Sequence, residues 1–226
     1  MQVLESKNAG GYLLQTVQIG EWTVRQRIPP GSGPHPAIVM LHGWTGDEGS
    51  MWIFIHRLPR EACIIAPRGL YTTPLGGYGW HPLKPRTWPW VDDFLPAVEK
   101  LSALLTPANF PQADLRRFQL VGFSQGAAMA YAFALLHPQR VVALAGLAGF
   151  APDGAISLAA GQPLRGLPVF ISHGTLDELV PVDRARRSAE LLQEAGANVT
   201  YCEDEVGHKL SSDCFTSLEI FLQLNR

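Results

Sequence analysis

Short apolar runs alternate along the chain with stretches of helical spacing. Ala37–Leu41, Cys63–Ala66, the run from Phe118 to Phe123, Val141–Ala148, Leu167–Ser172 and Val199–Cys202 are each closed by glycine, proline or polar residues. Runs of that length and bounding predict buried strands. Between them, Val91–Leu105, Gln125–His137, Val182–Ala195 and Ser211–Leu224 carry apolar residues at helical spacing or strong helix formers. Asp92 and Asp93 sit in a first turn, where the helix dipole favours them. Gly196 reads as a C-cap, and Ser211 or Ser212 as an N-cap. Met51–Leu58 reads as a further short helix. Strand and helix alternate from Ala37 onward, which predicts an α/β fold with a mostly parallel central sheet and helices on both faces.

Before that alternation, Leu13–Gln18 and Trp22–Gln26 flank Ile19-Gly20-Glu21 and predict a β-hairpin within residues 1–28. No linker, composition shift or internal repeat divides the chain, so residues 1–226 are expected to form one domain. Residues 68–90 break the pattern with glycines, four prolines (Pro74, Pro82, Pro85, Pro89) and aromatic rings. An ordered stretch of that length without regular structure is expected to be functional. Ala151–Arg165 reads as an irregular surface segment.

Composition narrows the field. Hydrophobic residues make up 46% of the 226 residues and charged residues 17%, enough for a large core. A net charge of −2 lacks the basic footprint that nucleic acid requires. The N-terminus does not read as a secretory signal, and no apolar run approaches the roughly 20 residues that span a bilayer. The expected setting is therefore cytoplasmic, with no stable membrane insertion. Cys63, Cys202 and Cys214 are an odd count without metal-ligand spacing. They are expected to be reduced thiols, with no metal site.

The candidate chemistry centres on Gly122-Phe123-Ser124-Gln125-Gly126, placed between a strand and a helix. In that context Gly-x-Ser-x-Gly predicts a sharp turn that lifts the serine hydroxyl clear of the sheet. A serine hydroxyl needs an imidazole to take its proton, and the imidazole needs a carboxylate on its other nitrogen. Asp177 follows one predicted strand through a short glycine turn, and His208 follows the next strand behind Gly207. The order Ser124, Asp177, His208 is that of a serine hydrolase on such a sheet. Asp183 and Glu178 compete as acids, the first in a helix start and the second pointing away. His42 and His173 read as braces of their loops, His137 as a helix-end residue, and His56 and His81 have no clear context.

Leu41-His42-Gly43, Gly122–Gly126, His173-Gly-Thr-Leu-Asp177-Glu-Leu-Val-Pro181 and Gly207-His208 run in one order across most of the chain. On these motifs the chain resembles the carboxylesterase/phospholipase family of α/β-hydrolases, the group that includes acyl-protein thioesterases. The resemblance implies the α/β-hydrolase fold, with Ser124 as nucleophile, Asp177 as acid and His208 as base. It also implies an oxyanion hole formed by the backbone N–H groups of Trp44 and Gln125. Two departures stand out. Trp44 occupies a position where members often carry a smaller aliphatic residue, and residues 68–89 do not follow the thioesterase pattern.

The expected activity is cofactor-free hydrolysis of small-molecule carboxylic esters or thioesters with small to medium apolar acyl groups, through an acyl-enzyme. Trp44 and Trp80 are expected to line the acyl pocket, while Trp88 and Trp90 pin the proline-rich segment. The alternatives are a dienelactone-hydrolase-like activity, which normally calls for cysteine as nucleophile where this chain has Ser124, another α/β-hydrolase activity such as a peptidase-like one, which usually adds a propeller or lid domain, and a non-catalytic ligand-binding member of the fold.

Overall fold

The computed structural model describes residues 4–7, 11–85 and 87–226. The predicted hairpin is β2 (Leu13–Ile19) and β3 (Trp22–Ile28), preceded by β1 (Leu4–Lys7), which pairs antiparallel with β2. Part of residues 1–28 lies outside the described residues. Then come β4 (His35–Leu41), β5 (Cys63–Pro67), a two-stranded ribbon of β6 (Tyr71–Thr72) and β7 (Tyr78–Gly79), and helix α1 (Val91–Leu104). β8 (Ala113–Phe123), α2 (Gln125–Leu136), β9 (Val141–Leu147) and the short α3 (Ile156–Ala159) follow. The chain closes with β10 (Pro168–Gly174), α4 (Val182–Glu194), β11 (Asn198–Asp204) and α5 (Ser212–Leu224).

Among the described residues nine strands form one sheet in the order β1-β2-β3-β5-β4-β8-β9-β10-β11. The pairs from β5 through β4 to β11 are parallel, and β3 joins β5 antiparallel. Successive side chains of a strand face opposite ways, and β4 shows the consequence. Val39 and Leu41 join Phe94, Leu101 and Phe133 on one face. Ile38 and Met40 join Met51, Ile55, Leu218 and Phe221 on the other. Each such side chain contributes about 1.5–3 kcal/mol on burial. α2 is buried from Gln125 to Leu135, and its alanines let it lie close against the sheet.

The parallel register brings the carboxyl ends of the strands to one edge. Leu41 pairs with Gly122, Gly122 with Gly146, Leu147 with Ser172 and Ser172 with Cys202. The loops that carry Trp44, Ser124, Asp177 and His208 therefore leave the sheet side by side. No helix among the described residues is long and apolar enough to cross a membrane.

Three expectations change. β8 begins at Ala113 rather than Phe118, because Asp114, Arg116 and Arg117 interrupt the apolar run, although Ala113 and Leu115 are buried. Met51–Leu58 forms only a 3-10 turn over Ser50–Phe54. The expectation of three reduced thiols is overturned for two of them: α5 packs back on β11, and Cys202 and Cys214 form a disulfide. Cys63 is free and buried, and burial pushes its thiol up to about 12.

The cross-link closes a short loop of sequence separation 12. Removing it as Cys202→Ser/Cys214→Ser should lower unfolding stability by about 3 kcal/mol, as expected for a loop of that size. Urea denaturation with and without dithiothreitol checks this. Reductant should weaken the parent and leave the variant unchanged; identical midpoints for both proteins would exclude the cross-link.

Candidate active site

Ser124 stands between β8 and α2 with φ 54° and ψ −118°, a conformation that costs a residue with a side chain about 1–3 kcal/mol. Its surroundings impose it. A Cβ on Gly122 would lie 2.1 Å from the Gly126 carbonyl oxygen, and a Cβ on Gly126 2.1 Å from that of Leu41. Only glycine fits either position. The Ser124 N–H donates to the Leu147 carbonyl at 2.8 Å, which ties the turn to β9. The predicted elbow is thus present, wedged between two strands and a helix start.

The loops after β10 and β11 continue to pair beyond the sheet. Thr175 N–H donates to Asp204 O at 2.9 Å and Leu176 N–H to Val206 O at 3.1 Å. Asp177 follows at once, with its carboxylate fully buried. Its Oδ1 accepts the N–H groups of Leu179 and Val180, both at 2.9 Å. Its Oδ2 lies 2.7 Å from His208 Nδ1. That carboxylate needs a proton from Nδ1, which leaves Nε2 as the basic nitrogen. The His208 ring packs 5.0 Å from the ring of Phe123, the neighbour of Ser124. Ser124 and His208 line one cavity of about 620 Å³.

The competing residues lie elsewhere or brace the loops. Glu178 is exposed, and Asp183 is exposed and pairs with Arg186. His137 ends α2 near Glu99, and His56 is exposed. His173 is buried beneath Asp177, with Nε2 2.8 Å from Val180 O and 3.4 Å from Asp177 Oδ2. His42 accepts the Gly69 N–H at Nε2 and contacts its own loop at Gly43 O through Nδ1. Burial holds the pKa of both rings below the ordinary histidine value. Among the described residues no group of three or more His, Cys, Asp and Glu could hold a metal ion.

Trp44 follows β4 in a turn closed by Gly46 N–H to Gly43 O at 3.0 Å. It is half-exposed and lines the cavity together with Gln125 and Ser124. Trp80 does not line it, against expectation. Its side chain is 0% exposed, and Nε1–H donates to His42 O at 2.7 Å. Here ring and N–H both fill the core under the Trp44 turn. Trp88, expected only to pin its segment, faces the cavity instead and packs edge-on against Phe150 at 4.8 Å. Trp90 pins the segment, since its backbone bridges to Asp153. Sequence reasoning also passed over His81, which lines the cavity, and Lys84, which reaches into it and pairs with buried Asp93. No periodicity in that irregular segment marks them out.

A sheet of this order, with a strained serine turn and a buried Asp–His pair at its carboxyl edge, defines an α/β-hydrolase. A family model described as Phospholipase/Carboxylesterase matches residues 25–226, and the chain belongs to that family. It is a carboxylesterase-type hydrolase. Acyl-protein thioesterase 1 of Debaryomyces hansenii is 29% identical over 182 residues, covering 71% of this chain and 77% of that protein. The crystal structure of esterase PE8 superposes with a TM-score of 0.76 at 26% identity, covering 88% of this chain and 97% of that one. A carboxylesterase from Mesorhizobium loti shares the fold with a TM-score of 0.77 at 21% identity, over 92% and 98% of the two chains.

The two buried histidines set an acid limit on stability. Their folded pKa values lie below the ordinary value of about 6.5, so the unfolded chain takes up protons first as pH falls. Stability contributed by the neutral rings should be present above about pH 6.5 and lost below it. The melting temperature should fall between about pH 7 and pH 5, and His42→Gln should flatten that slope. An unchanged slope in the variant would remove His42 from the account.

Proposed function

We propose that Ser124, Asp177 and His208 form a catalytic triad that hydrolyses carboxylic esters or thioesters through an acyl-enzyme. One observation carries this reading: the 2.7 Å contact of His208 Nδ1 with buried Asp177, beside the cavity that His208 shares with Ser124. His208 Nε2 takes the Ser124 proton as Oγ attacks the substrate carbonyl. Asp177 stabilises the imidazolium that forms. The negative oxygen of the tetrahedral intermediate is received by the N–H groups of Trp44 and Gln125, each worth about 10²–10³ in rate. His208 then gives its proton to the departing alcohol or thiol. Water, activated by the same imidazole, releases the acid from Ser124.

The cavity supports an acyl group of small to medium size. Its volume of about 620 Å³ is that of a small-molecule site, and Trp44, Leu75, Leu83, Trp88, Phe150 and Leu179 give it apolar walls. Relatives named as an acyl-protein thioesterase and an esterase favour both ester and thioester chemistry. The reading takes residues 1–226 as one domain acting without a cofactor. A cytoplasmic location is the part that the Cys202–Cys214 bond weighs against, because cytosolic thiol pools keep most cysteines reduced.

Hydrolysis of p-nitrophenyl esters tests the nucleophile. Ser124→Ala should lower kcat by about 10⁶; parent activity in that variant would end the proposal. Esters of graded chain length test the walls. Trp44→Ala and Trp88→Ala should shift the length optimum. Trp80→Ala should instead cost about 3–5 kcal/mol of stability, as expected for a large ring removed from a core. An optimum that moves only with Trp80 would reverse this assignment.

A further inference from the structure

The Gln125 side chain makes bonds that the roles of Ser124, Asp177 and His208 do not account for. Gln125 is buried, and its side chain is held at both ends. Oε1 accepts the Trp80 N–H at 2.9 Å, and Nε2 lies 3.0 Å from His81 Nε2. The direction of the second bond follows from the first. With the amide oxygen committed to Trp80, the amide nitrogen donates, and His81 Nε2 must accept. His81 can do so because its other nitrogen, Nδ1, lies 2.7 Å from the Pro82 carbonyl and donates to it. Phe94 holds the imidazole edge-on at 5.0 Å.

The same segment reaches the other side of the proposed oxyanion hole. Trp80 Nε1–H donates to His42 O at 2.7 Å, and His42 Nδ1 lies 2.7 Å from Gly43 O, one residue before Trp44. A Cβ on Gly79 would lie 3.0 Å from both Gln125 Oε1 and Trp44 Cδ1. Residues 79–81 are therefore wedged between the two residues whose N–H groups would receive the oxyanion.

We infer that His81 is a positioning residue for this hydrolysis. As a neutral acceptor it fixes the Gln125 amide and, through Trp80, the spacing of the Gln125 and Trp44 N–H groups. The inference rests on the reading of those two groups as oxyanion donors. Such donors act only when preset at the position where charge develops, and small displacements are costly.

His81→Phe keeps a ring against Phe94 and deletes the acceptor. His81→Gln restores an acceptor where Nε2 stands. The assay is kcat and KM for p-nitrophenyl acetate, with active sites counted by saturating fluorophosphonate so that only folded enzyme enters kcat. The Phe variant should lose about 10- to 100-fold in kcat, with KM held within about twofold. The Gln variant should recover most of that loss. Gln125→Met deletes the donor of that bond together with the acceptor of the Trp80 N–H, so it should lose at least as much kcat, which carries the test should His81→Phe not fold. Adding His81→Phe to Gln125→Met should cost no further kcat. The inference is overturned by parent kcat in the Phe variant, by a loss confined to KM, by equal losses in the Phe and Gln variants, or by losses that multiply in the double variant. Failure of the underlying reading has its own signature: Ser124→Ala would then hydrolyse the ester at the parent rate, and the role of His81 would fall with it.

Discussion

The approach of Gly126 to the end of β4 is the constraint on which the rest depends. With a Cβ at position 126 only 2.1 Å from Leu41 O, α2 could not start where it does. The same approach leaves Ser124 no room for an ordinary conformation, so the turn takes φ 54°. Strain of this kind persists only where the surroundings over-determine it. Here they do: β4 and β9 flank the turn, the Ser124 N–H is spent on Leu147 O, and α2 is buried along nearly its whole length. The stability of the sheet core is what holds one hydroxyl clear of it.

The acid and the imidazole are organised by a second, separate device. β10 and β11 stay paired past their ends, so Asp177 and His208 leave the sheet as one unit. Asp177 takes two backbone N–H groups on one oxygen and His208 on the other. A buried carboxylate left with fewer donors would be expensive to keep charged. The Cys202–Cys214 bond spans the loop that carries His208, adding a covalent limit on how far that loop strays from α5. Two rigid units therefore meet at one edge, joined by the contact between Phe123 and the His208 ring.

Much of this was legible in the chain. Bounded apolar runs gave away the parallel strands, because strands covered on both faces must be apolar throughout. Glycines two residues either side of Ser124 marked the elbow, because no other residue survives that closeness. What escaped has physical reasons too. β1 and the start of β8 are short stretches in which charged residues break the apolar run, so neither carries the signal of a covered strand. The facing of Trp80 and Trp88 is decided by the path of an irregular segment, and both rings are equally apolar. Lys84 and His81 lie in the same segment and were silent for the same reason. The Cys202–Cys214 pairing depends on how α5 turns back on β11, a tertiary contact that cysteine count and spacing do not encode.

The central claim is that one strained hydroxyl is the reacting group of this hydrolase. The most direct measurement is covalent labelling of the intact protein with a fluorophosphonate, followed by proteolysis and mass spectrometry. A single adduct on the peptide that contains Ser124, formed as ester hydrolysis is lost, is the predicted result. An adduct on a different residue, or full inhibition with Ser124 unmodified, would contradict the account.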